Sequence, residues 1–124
     1  MIDCLYVGVG GFIGSVARYL IGLLPFAFEN GFPIKTFAIN IIGALLIGMI
    51  AAYAAKNPNF DSRMVLFIKV GICGGFTTFS TFALEIGGLL EKGIITTALL
   101  YAVLSTLLGV LAFYFGQSVI NGQY

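Results

Sequence analysis

The chain has 124 residues, 60% of them hydrophobic and only 9% charged, with a mean hydropathy of +1.07. A soluble domain of this size could not hide that much apolar surface, so the composition implies an integral membrane protein. Six basic against five acidic residues leave a net charge of +1, which excludes a polyelectrolyte partner such as nucleic acid.

The first predicted span covers residues 5–24, enough to cross roughly 30 Å of hydrocarbon at about 1.5 Å per residue. Asp3 precedes it, with no basic residue and no small-residue cleavage site, so the segment is expected to stay in the protein. Its GVGGFIGSVARYL stretch lacks both the spacing and the preceding strand of a dinucleotide loop. Gly10 and Gly14 instead form a GxxxG pair for close helix approach. Arg18 has two readings: it reaches up to the headgroups, or it faces a bundle interior or vestibule.

A short loop, residues 25–35, leads into the second span, residues 36–55, which carries no charge. Thr36 and Asn40 stand four apart on one helical face, with Gly43 close by. Asn40 is the one carboxamide inside any predicted span, Gln117 being placed at the end of the fourth. It either bonds a neighbouring helix, for about 1 kcal/mol, or presents its NH₂ to an anion.

After the polar loop KNPNFDSR, the third segment, residues 64–90, is too long for one straight span. GICGGFTTFSTFALE sets three glycines beside a run of hydroxyls. Irregular backbone at membrane depth survives only inside protein or along a wet cavity. The expectation is a helix broken near residues 74–78, at the Gly74–Gly75 step, beside a permeation site. Thr77, Thr81 and Glu85 would then form one polar ridge, with Phe79 and Phe82 on a neighbouring face.

The fourth span, residues 93–116, follows a turn at Glu91–Lys92 and places Tyr101 and Ser105 on one face. The whole chain, 1–124, therefore reads as one all-α domain of four transmembrane helices, the third broken. Its loops are too small for an active site. Two cysteines, Cys4 and Cys73, and no histidine leave no metal-ligand spacing and no nucleophile pair, so it is not an enzyme. Both cysteines read as small apolar fillers.

Orientation follows the basic residues at the span ends. Lys56, Arg63 and Lys69 belong to one side and Arg18, Lys35 and Lys92 to the other, three against three. Such a chain is expected to insert both ways and to pair as an antiparallel, dual-topology homodimer with its axis in the membrane plane. The small-residue pairs Gly10/Gly14, Ala44/Gly48, Gly71/Gly75 and Ala83/Gly87 offer more contact surface than one bundle needs.

GGFIGSVARYL, TFAINIIGALLIG and GICGGFTTFSTFALE, in that order, resemble the Fluc (CrcB) fluoride channels, and the resemblance covers all four spans. It implies a small dual-topology homodimer in the cell membrane that exports fluoride passively through two antiparallel pores. It makes Phe79 and Phe82 the phenylalanines beside the fluoride path and Asn40 the pore asparagine. Ser80 and Thr81 become the hydroxyls next to them, and Arg18 the arginine after the first-span glycines. Tyr101 and Ser105 match the fourth-span polar track, and Glu85 the acidic residue flanking the pore. Backbone carbonyls of Gly74 and Thr77 would hold a structural Na⁺ between the subunits.

The chemistry is consistent with that likeness. Fluoride holds its water tightly, so neutral donors (the Asn40 NH₂ and the hydroxyls of Ser80, Thr81 and Ser105) replace hydration without trapping the ion. Phenyl edges carry positive potential and can face an anion. A proton-coupled multidrug exporter would need a first-span carboxylate, where this chain has Arg18. A non-transporting membrane subunit would not need Asn40 or the hydroxyls.

Overall fold

The structure, a computed structural model, describes residues 1–122. Four helical stretches are long and apolar enough to cross a membrane, and among the described residues there is no strand. This is the arrangement hydrocarbon demands, because a helix satisfies its own backbone polar groups where no water can. The chain is an all-α, multi-pass membrane protein. Its helices are α1 (Ile2–Gly22), α2 (Ile34–Lys56), the third span (Ser62–Glu91) and α6 (Ile95–Asn121). Gln117 thus lies within α6 rather than at its end.

The connections carry identifiable turn and cap chemistry. Gly31 takes φ +75° in the α1–α2 loop, and Pro33 occupies the N-cap of α2. After α5 (Phe79–Glu91), Gly93 at φ +74° closes a Schellman turn. There Ile94 N donates to Leu89 O at 2.9 Å and Gly93 N to Leu90 O at 3.0 Å.

The third span is built in pieces. Asp61 caps α3 (Ser62–Val65), its carboxylate accepting from Arg63 N at 2.8 Å. The rod then widens into a π-helical segment, Leu66–Cys73, and tightens again in α4 (Gly74–Phe76). At Thr77 and Thr78 the backbone is extended, with φ/ψ of −75°/157° and −152°/119°. Helix resumes at Phe79.

The break therefore lies within the expected residues 74–78 but past the Gly74–Gly75 step, since Gly74 is itself helical at φ −65°, ψ −38°. The glycines serve packing instead. A Cβ on Gly75 would stand 2.5 Å from Gly11 O, and one on Gly71 2.8 Å from Gly10 Cα. The backbones of α1 and the third span touch there, and a side chain at Gly10, Gly14, Gly71 or Gly75 would collide with the facing backbone. A second seam joins α2 to α6, where Gly48 meets Phe113 O and Gly116 meets Leu45 O.

Three of the small-residue pairs expected to exceed one bundle's needs are thus used within a single chain. Gly10/Gly14 and Gly71/Gly75 join α1 to the third span, and Gly48 of Ala44/Gly48 joins α2 to α6. Gly87, with nothing within 4 Å of an added Cβ, remains open. The best-buried cluster, Leu89, Ala98 and Tyr101, is packed by Phe32, Phe37, Phe82 and Ile86. It anchors α5, the half-helix past the break, to α6.

Candidate functional site

The helical ladder is interrupted at Thr77 and Thr78, and a side chain from α2 replaces what Thr78 loses. Asn40 Oδ1 accepts from Thr78 N at 2.8 Å, while its Nδ2 donates to Thr78 O at 3.1 Å. One carboxamide thus satisfies both backbone groups of one extended residue. One of the two amide hydrogens is spent on this clamp. The other has no protein acceptor among the described residues.

Thr78, which the sequence reading did not single out, is the hub of the site. It is buried and N-caps α5, its Oγ1 accepting from Thr81 N at 3.1 Å. The same hydroxyl donates to Thr81 Oγ1 at 3.1 Å and pairs with Ser80 Oγ at 3.3 Å. Its available signal was a threonine directly before a restarting helix, with Thr81 at the N3 position.

The clamp and the cap have a consequence for the carbonyls behind them. In an unbroken helix Thr78 N would bond Gly74 O, and Thr81 N would bond Thr77 O. Both donors are diverted, to Asn40 and to Thr78 Oγ1. Gly75 O, by contrast, accepts from Arg18 Nε at 3.1 Å. Arg18 is thereby turned into the bundle rather than toward the headgroups.

Two cavities meet at Thr78. The inner one, about 330 Å³, is lined by uncharged groups, among them Asn40, Thr77, Thr78, Phe79, Phe82 and Ser105. Ser105 Oγ is the one buried side-chain polar atom without a hydrogen-bond partner among the described residues. Phe79 and Phe82 stand with ring centroids 5.7 Å apart, and Phe79 is 78% exposed.

The outer cavity, about 390 Å³, lies between the end of α1 and the first turn of α2. It is lined by Arg18, Lys35, Thr36, Thr78, Thr81 and Glu85. The Glu85 carboxylate accepts from Thr36 Oγ1 at 2.7 Å and from the Tyr101 hydroxyl at 2.7 Å.

Two expected groupings change in this geometry. Thr77 does not continue a ridge with Thr81 and Glu85, because the break intervenes. Its hydroxyl donates back to Cys73 O at 2.9 Å and its methyl sits against Gly43. Tyr101 and Ser105 also separate. Tyr101 is fully buried with its hydroxyl on Glu85, while Ser105 faces the inner cavity.

Residues 5–117 match the family described as CrcB-like protein, Camphor Resistance (CrcB). The chain belongs to this family. It is 46% identical over 121 residues to the "Fluoride-specific ion channel FluC" of Chlorobaculum tepidum, covering 97% of this chain and 94% of that protein. The protein of the same name from Prosthecochloris aestuarii is 41% identical over 115 residues, or 93% of this chain and 90% of its own length. That of Novosphingobium aromaticivorans is 42% identical over 120 residues, 94% of each. The family match, residues 5–117, reaches into all four spans.

Proposed function

We propose that this protein is a fluoride-selective ion channel of the cell membrane, passing fluoride passively out of the cytoplasm. The observation that carries the reading is the inner cavity, a membrane-depth space lined by neutral donors and phenyl rings with no ionised group among its lining residues. A hydrated small anion needs its water replaced piecemeal, and each donor here replaces part of it. Ser105 Oγ, without a protein partner, and the second Asn40 N–H are free to do so, and Phe79 and Phe82 can add ring edges. Ser80 and Thr81 extend the hydroxyls toward the charged cavity. A fixed ammonium at this depth would hold fluoride too strongly to release it.

The working unit in this reading is an antiparallel homodimer with two pathways. Several features of the protomer surface support a second copy. Phe79 is 78% exposed, Lys69 is exposed within the third span, and an added Cβ at Gly74 or Gly87 meets nothing within 4 Å. An uncovered ammonium at that depth is costly in lipid.

The carbonyls of Gly74 and Thr77, relieved of their helical donors, fit a structural Na⁺, because hard cations take oxygen ligands. Such an ion would neutralise converging carbonyl dipoles at a dimer centre. It would stabilise the dimer by mass action, so protein purified wholly without Na⁺ should be less dimeric.

The test of function is fluoride efflux from liposomes holding the purified protein, followed with a fluoride electrode. Efflux should start when an electrical shunt is added, without any proton gradient. Efflux that requires a proton gradient would make the protein a coupled carrier and overturn the channel reading.

A further inference from the structure

The outer cavity holds three charged side chains, Arg18, Lys35 and Glu85, that are not paired with one another. The one ion pair among the described residues is Arg63 with Asp3, at 3.2 Å. Glu85 is held by two hydroxyls and Arg18 by a carbonyl. Lys35 is the least expected of the three. Its Nζ donates to Gly22 O at 2.8 Å and to Leu24 O at 3.0 Å, pinning the ammonium across the end of α1. An ammonium has three donors, so one N–H is left over. Arg18 likewise commits only its Nε among the described residues.

We propose that Lys35, with Arg18, forms an anion-capture site at the mouth of the pathway and sets how fast the channel collects fluoride when fluoride is scarce. This deepens the channel reading and rests on it. Two cations against one carboxylate leave a net positive charge around a half-enclosed space. Such a cleft focuses field lines and raises the local concentration of anions. Because Lys35 is tied to two carbonyls at the rim, it cannot follow the ion inward. It attracts fluoride without trapping it, and the neutral groups beyond Thr78 take over. The carbonyls also stabilise the lysine's charge, and the lysine closes the exposed end of α1.

The test is fluoride efflux in zwitterionic liposomes at low and high fluoride, each across a range of ionic strength set with an impermeant organic anion. At low fluoride and low ionic strength, Lys35→Gln should pass about three- to tenfold less fluoride than the parent. The deficit should shrink below about twofold at high ionic strength, where the Debye length is only a few ångströms. Lys35→Arg should keep the parental rate and salt slope. Lys92→Gln, an exposed change outside the cavity, should leave both unaltered.

Gln keeps an N–H donor for the α1 carbonyls, so an equal loss at every ionic strength would make Lys35 a helix cap only and overturn the proposal. A parental rate in Lys35→Gln would also overturn it. Should that variant fail to assemble, the parent alone decides, since low-fluoride flux that ignores ionic strength refutes capture by charge. Parental protein that passes no fluoride would refute the channel reading itself, and this inference with it.

Discussion

The two cavities share Thr78 and differ in almost everything else. The outer one has two cations and a carboxylate; the inner one has an amide, hydroxyls and phenyl rings. A charge near water costs little and gathers ions, whereas a charge at membrane depth is expensive and holds what it binds. Around these two cavities the ionised groups line the outer one and neutral donors line the inner one. The boundary between the regimes is the helix break, where one asparagine stands in for the lost helical partners of Thr78.

The largest expected effect comes from erasing that boundary. Asn40→Asp keeps the acceptor for Thr78 N but removes the donor to Thr78 O and sets a negative charge in the inner cavity. Fluoride efflux should fall by about two orders of magnitude, since like charge and a lost buried hydrogen bond act together. Efflux within about threefold of the parent would show that the inner cavity is not the path. Next come the rings. Phe79→Ile and Phe82→Ile keep apolar bulk but lose the positive ring edge, and each should cut flux about tenfold or more while the size-exclusion elution volume stays that of the parent. Parental rates in both variants would reduce the rings to packing.

A smaller effect is expected at the outer cavity. Tyr101→Phe removes one of the two donors to Glu85, a bond to a charged group worth roughly 1.5–3 kcal/mol. Fluoride flux should drop a few-fold and the midpoint of thermal unfolding should fall. If neither moves, Glu85 does not depend on that hydroxyl for its position.

The four helices were legible because long apolar runs admit no other structure in lipid, and the run of hydroxyls beside glycines marked the irregular segment. The break lies inside the expected residues 74–78, but its exact step was misread for a physical reason. Gly71 and Gly75 looked like backbone-loosening residues but are needed where α1 touches the third span. The break is set by groups whose roles spacing does not reveal, namely Asn40, 38 residues away from Thr78, and the Thr78 hydroxyl as a cap. Thr36, Glu85 and Tyr101 were each picked out, but in three separate groupings. Their convergence was not readable, because it spans 49 and 16 residues of chain. Lys35 read as a loop end, since nothing local shows that it returns to the carbonyls of Gly22 and Leu24.

The central claim is that fluoride itself, unaccompanied by protons, crosses a neutral inner cavity. The reversal potential in a planar bilayer, with fluoride, chloride and proton gradients varied independently, tests it most directly. The current should reverse at the fluoride equilibrium potential and ignore the other two gradients. A reversal potential that follows chloride or the proton gradient would contradict it.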